Sequence, residues 1–226
     1  MKLHLNFFPA FLIFLIIVIS APVKAPAQIL NEQTKKKFHV SLGMFSDIYM
    51  NMPSGIKTRT INQGFQTYVT YQVTFGKSNF GFAVGLGFAV HNMYGNFKVK
   101  SYSDSTVLQK IDTSYKRSKL CMPYIELPIE FNFVTKYKFN MGLGFKIGYM
   151  FPAHTKYVGD DAAYTGELRV KYRNVLNLNK FEYGPNLRIG YKWFNLFCYY
   201  QLSYIFEKGQ GPQIYPISVG FLIRPF

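Results

Sequence analysis

Phe80-Gly81-Phe82-Ala83-Val84-Gly85-Leu86-Gly87-Phe88-Ala89-Val90-His91 decides how this chain folds. Side chains alternate across a strand, so Phe80, Phe82, Val84, Leu86, Phe88 and Val90 form one apolar row. Gly81, Ala83, Gly85, Gly87, Ala89 and His91 form the other, which carries almost no side chain. The apolar row is about as long as a tilted membrane-crossing strand. A soluble sandwich would need bulk on its inward face. A narrow closed barrel in lipid needs the reverse, with bulky groups against acyl chains and small ones relieving the crowded lumen.

Seven further segments share this alternation. They are 37–50, 64–75, 120–134, 137–151, 181–193, 196–206 and 214–226, and the quoted strand extends toward Val99. In 120–134, Ile125, Leu127, Ile129, Phe131 and Phe133 oppose Tyr124, Glu126, Pro128, Glu130 and Asn132. In 137–151, Phe139, Met141, Leu143, Phe145, Ile147 and Tyr149 oppose Asn140, Gly142, Gly144, Lys146 and Gly148. Pro128 lacks a backbone donor and predicts a bulge or local break.

The connections alternate in length. Tight turns fall at 76–79, Thr135-Lys136 and Phe194-Asn195; 51–63, 100–119 and 152–180 are long and polar, and 207–213 is shorter. Short turns on one side and long loops on the other mark an eight-stranded antiparallel up-and-down transmembrane β-barrel of the outer-membrane type. Long loops in compact proteins carry binding or are disordered, so these are the expected functional surface. Aromatic residues at strand ends, Tyr71, Phe75, Tyr137, Phe151, Phe181 and Trp193, fit interfacial girdles.

The start of the chain sets the compartment. Lys2 and His4 precede an apolar run from Phe7 to Ile19, and Ala25-Pro26-Ala27 is a small-x-small cleavage site, so 1–27 reads as a secretory signal peptide. A short segment, 28–36, then leads into a barrel domain over 37–226. The competing reading is an uncleaved anchor, but the apolar run is short of the roughly 20 residues that a spanning helix needs. Exported to the outer membrane, the chain is not expected to meet nucleic acid, despite a net charge of +15. Anionic outer-membrane lipid or phosphorylated glycolipid is the expected partner class, beside the plainer reading that these charges solvate loops. Cys121 and Cys198 make no disulfide framework, and their pairing is open.

One motif carries a family resemblance. Tyr124-Ile125-Glu126-Leu127-Pro128-Ile129, in a strand after a long loop, resembles the Tyr-Leu-Glu-Ile-Pro motif of the PorT-like outer-membrane barrel proteins of Bacteroidota. The Gly-rich third and fifth strands are similar too. The resemblance implies an eight-stranded barrel and, through the family's namesake, a role in assembling the type IX secretion apparatus with other envelope proteins. Phe226 fits the terminal aromatic read by barrel-assembly machinery, but Pro225 and Arg224 depart from the alternation.

Inward parity collects Glu126, Glu130, Lys146, Glu182, Arg188, Lys192 and Arg224. A buried charge needs a partner, and eight strands leave room only for side chains, so these residues predict a structural lumen network over a proton or ion pathway. A lipid-modifying enzyme would need a His near a nucleophile and a carboxylate. His39 with Ser41, His91, and His154 with Asp160 and Asp161 are the raw material, but none forms a motif. No cofactor loop and no metal-ligand spacing occurs, so no enzyme, cofactor or metal is expected. The expected role is a non-catalytic scaffold or accessory of an envelope machine, with a lipid-modifying enzyme and a surface adhesin as alternatives. A secreted lipocalin-like barrel would turn the apolar rows inward.

Overall fold

The computed structural model describes residues 37–161 and 164–224. The signal-peptide reading of 1–27, the segment 28–36, Pro225 and the terminal Phe226 lie outside the described residues. Eight strands close into a barrel: β1 Phe38–Met50, β2 Gln63–Thr74, β3 Phe80–Tyr94, β6 Tyr115–Val134, β7 Phe139–Met150, β10 Phe181–Tyr191, β11 Phe194–Tyr200 and β12 Tyr215–Ile223. Each pairs antiparallel with its neighbours in the order β3-β2-β1-β12-β11-β10-β7-β6, and β3 with β6 completes the ring. Closure removes every edge within the barrel, which hydrocarbon demands.

The apolar rows face out. Val69, Leu86 and Leu143 are 50%, 57% and 57% exposed, while Ala83, Ala89 and Tyr199 on the other parity are 1% exposed or less. That orientation excludes the lipocalin-like arrangement. Phe75, Tyr137 and Trp193 ring the end with the tight turns, and Phe151 and Phe181 lie at the other end, all of them exposed.

Cross-strand register explains the glycines. One row around the wall runs Tyr68, Gly87, Glu126, Gly148, Glu182, and another runs Asn132, Gly142, Arg188. A β-carbon on Gly87 would stand 2.0 Å from the Tyr68 ring, and one on Gly142 would stand 2.9 Å from Arg188 Nη2. Each glycine therefore clears space for the large side chain beside it. Pro128 interrupts the β3–β6 ladder between Val84↔Ile129 and Gly87↔Glu126, but the register is the same on both sides, so it makes a break without a bulge.

Four expectations need correction. The third strand stops at Tyr94, where Gly95 bridges Thr58 and ends the barrel ladder. The seventh strand stops at Tyr200, and 201–206 continues irregularly to a bridge between Leu178 and Phe206. The turn placed at Phe194-Asn195 is Lys192-Trp193, with Lys192 in the left-handed region at φ 55°, so Asn195 belongs to the wall. The outward segments are also folded. β4 Phe97–Ser101 pairs with β5 Thr106–Lys110, and β8 His154–Asp161 pairs with β9 Tyr164–Arg173.

The outward segments share a core. Ile56, Met93, Phe97, Leu108, Leu120, Met122, Ala153, Leu178, Ile205, Phe206 and Ile214 pack as one buried cluster above the barrel, reaching down to Tyr49, Tyr124 and Met150. Hydrogen bonds lace the segments together, from Thr106 N to Gln210 O at 2.7 Å, Asn177 Nδ2 to Tyr102 O at 3.0 Å and Asn51 Nδ2 to Gln213 O at 2.8 Å. The loops form a cap with its own apolar interior.

Candidate functional site

Two charged regions result, one inside the barrel and one on its outer flank. Inside, toward the tight turns, Arg188 is the hub. Its Nη2 lies 3.1 Å from Glu130 Oε2 and donates to Asn132 Oδ1 at 2.6 Å, while Nη1 donates to Asn195 Oδ1 at 2.6 Å. Asn186 Nδ2 donates to the other Glu130 oxygen at 2.9 Å. Toward the cap, Lys146 Nζ donates to Glu126 Oε1 at 2.8 Å and sits 3.7 Å from the Tyr199 ring centroid. The Tyr68 hydroxyl donates to Glu126 Oε2. Glu182 is fully buried beside this pair.

The structure thus brings Glu126, Lys146 and Glu182 into one cluster and Glu130 and Arg188 into another. Arg224 stands apart, donating to Thr70 Oγ1 at 3.2 Å near the inner mouth. Lys192 is corrected: it is exposed in the turn and lines a vestibule of about 560 Å³ at that mouth with His39 and Arg224. The lumen itself holds a cavity of about 30 Å³ against Tyr68, Lys146 and Arg188. That is about one water's room, consistent with a filled barrel.

Sequence reasoning missed Asp47. It is fully buried, accepts from Ser218 Oγ at 2.6 Å, and lies 2.9 Å from His91 Nδ1. Its signal was present: Asp47 is the lone acid on the inward parity of β1. Ser218 and His91 approach opposite oxygens of Asp47, so the carboxylate separates hydroxyl from imidazole, unlike a nucleophile–base–acid relay. The other two described histidines are elsewhere, His39 at the inner mouth and His154 on the outer flank. The spacing of residues along the chain offers no metal-ligand set, yet three strands bring His91, Glu126 and Glu182 together.

The outer flank is built by β6 running past the barrel. Its residues 115–121 leave β7 and pair with β8, which pairs with β9. Register then places Lys119, Lys156 and Lys171 side by side in one row, with Cys121, His154 and Arg173 in the next. Like charges directly opposite across strands are unfavourable. This face continues the lipid-facing column of β6, so Leu127 and Ile125 give way, moving outward, to Cys121 and then Lys119. Lys119 Nζ donates to Asn92 Oδ1 at 2.8 Å and lies 5.5 Å from the Tyr94 ring centroid, which Arg59 also faces. Among the described residues, Lys156, Lys171 and Arg173 form no ion pair with a carboxylate. Partial burial, then Lys171, Lys119, Arg173 and Lys156, hold the His154 imidazole below its ordinary value. Cys121 and Cys198 are free thiols.

A family model described as outer membrane protein beta-barrel domain matches residues 27–206. No curated protein matches the chain. Among solved structures, Ail, the attachment invasion locus protein of Yersinia pestis, in complex with the heparin analogue sucrose octasulfate, is similar at 12% identity and a TM-score of 0.40, over 83% of this chain and 97% of that one. Neisserial surface protein A is similar at 12% identity and a TM-score of 0.36, over 83% of this chain and 96% of that one.

Proposed function

The chain belongs to the outer membrane protein beta-barrel domain family and resides in the outer membrane, and from that premise we propose that it is a non-catalytic anchoring scaffold. Its basic flank grips the phosphates of outer-leaflet glycolipid, and its rigid cap stands outward as a platform for another envelope component.

The observation that carries this reading is the row Lys119, Lys156, Lys171 beside Arg173, placed above the end of the apolar band. Phosphorylated headgroups lie at that depth, and a bridging anion relieves the repulsion between adjacent ammonium groups. Separation of the three described histidines, with His91 sealed in the lumen, favours binding over catalysis. The test is retention of phosphorylated glycolipid by purified barrels carrying Lys156→Ser and Lys171→Ser together. Reduced retention with unchanged barrel insertion is the expected result, and retention equal to the parent overturns the reading.

A second reading rests on the Tyr124-Ile125-Glu126-Leu127-Pro128 resemblance and assigns the platform to the type IX secretion apparatus. Crosslinking from cysteine placed at Lys100 or Lys110 in intact envelopes tests it. Capture of an envelope protein supports it, and capture of an extracellular polymer instead favours an adhesin.

A further inference from the structure

Glu182 is the one described lumen carboxylate whose two oxygens both accept no hydrogen bond, although it is fully buried. His91 Nε2 likewise lacks a hydrogen-bond partner, on a side chain only 2% exposed. These atoms are aimed at each other and at Glu126: one ligand atom from each of the three residues lies within 4.8 Å of the others. His91 Nε2 is 3.7 Å from Glu126 Oε1. Ligands about 2.0–2.2 Å from one tetrahedral zinc ion stand roughly 3.3–3.6 Å apart, so a small inward shift of the two carboxylates brings the three atoms onto one ion.

The imidazole is oriented for coordination. Asp47 can only accept, so His91 Nδ1–H donates to it across 2.9 Å, and in the neutral ring Nε2 presents its lone pair to the two glutamates. Asp47 is itself held by Ser218 Oγ at 2.6 Å and the Tyr49 hydroxyl at 3.2 Å. A carboxylate behind a histidine in this way fixes the ring and raises the basicity of the nitrogen that faces the metal. Space is cleared too. Gly148 lies between Glu126 and Glu182 in the cross-strand row, and a β-carbon there would stand 2.6 Å from Glu182 Oε1.

Charge completes the argument. Asp47, Glu126 and Glu182 bring three negative charges and Lys146 returns one, so with a neutral His91 the cluster lacks two positive charges. Burial makes such an imbalance costly. We propose that His91 Nε2, Glu126 and Glu182 bind a divalent transition ion, with zinc the best match to one imidazole nitrogen and two carboxylates. The apolar cap core closes the site above, at Tyr124 and Met150. The ion is therefore structural and is captured as the barrel closes.

The competing occupant is a pair of protons, one on His91 and one shared by the glutamates. Full-length chain refolded into detergent micelles with zinc or with a chelator, then desalted, distinguishes the two by metal content and heat unfolding. About one zinc per barrel, a higher unfolding temperature only after refolding with zinc, and loss of both in Glu182→Gln are expected. Zinc below about 0.1 per barrel with identical unfolding temperatures overturns the site, as does full zinc retention by Glu182→Gln. Should that variant not fold, X-ray absorption of the zinc-loaded parent decides: an imidazole with oxygen neighbours supports the site, and sulfur neighbours from Cys121 or Cys198 overturn it.

Discussion

Lysine and arginine meet opposite fates in the lumen and on the outer flank. Inside, Lys146 is tied to Glu126 and Arg188 to Glu130, and glycines make room for those contacts. Outside, Lys119, Lys156 and Lys171 stand next to one another across three strands. Cations paired within the protein hold the fold; cations that face each other beside a membrane are, in the function proposed above, the ones an outside anion would meet. The same residue types are thus structural in one region and available for binding in the other.

The comparison breaks most readily at Arg188. Arg188→Leu leaves Glu130 buried without its cation, and loss of one partner of a buried pair costs about 3–5 kcal/mol. Heat unfolding of the folded barrel in detergent measures it, and a loss below about 1 kcal/mol would put the lumen charges in the same class as the outer ones. Gly142→Ala sharpens the same point without removing a charge. The new methyl would lie 2.9 Å from both Arg188 Nη2 and Asn132 Oδ1 and 3.0 Å from Glu130 Oε2. Forced repacking of this kind costs about 1–3 kcal/mol, read in the same unfolding assay.

Much of the wall was legible because hydrocarbon imposes a strict period. The alternation in Phe80 to His91 gave both the strand and its orientation, and Glu126, Glu130, Lys146, Glu182 and Arg188 sit inward as their parity requires. Pairing between them was not legible. That Gly148 faces Glu126 on one side and Glu182 on the other depends on register, which parity alone leaves open. Lys192 was misplaced because a turn at Phe194-Asn195 leaves it inside the sixth strand, whereas Asn195 is needed in the wall to accept from Arg188. The cap hairpins were hidden for a related reason. Outside the membrane a strand needs no continuous apolar row, and His154-Thr155-Lys156-Tyr157-Val158 shows none. The basic flank is assembled from three distant segments, so its adjacency exists only once the strands are in register.

On the flank, the expected effects are smaller and fall on binding. Each lysine near an anionic surface contributes about 1 kcal/mol, roughly a five-fold change in affinity. Lys156→Ser and Lys171→Ser should each weaken binding to soluble phosphorylated glycolipid by that factor. Heat unfolding should hold steady or rise, since each substitution also removes like-charge repulsion between neighbouring strands. A loss of fold stability comparable to Arg188→Leu would erase the distinction between the two regions.

The smallest effect is the dependence on pH. Burial and the charges of Lys171, Lys119, Arg173 and Lys156 depress the His154 pKa. The unfolded chain therefore takes up this proton at a higher pH than the folded chain, and stability falls as pH drops below about 6.5 toward the folded value. An anion bound among the lysines and Arg173 offsets their charge and lets His154 protonate more readily. By linkage, that same anion binds more tightly as pH falls through this window. Binding of phosphorylated glycolipid measured at pH 7.5 and pH 5.5 should strengthen in the parent, and His154→Ala should remove that increment while keeping the affinity at pH 7.5. Strengthening at low pH that survives His154→Ala would move the titrating group elsewhere in the protein, since protonation of the ligand's own phosphates weakens their attraction to the lysines.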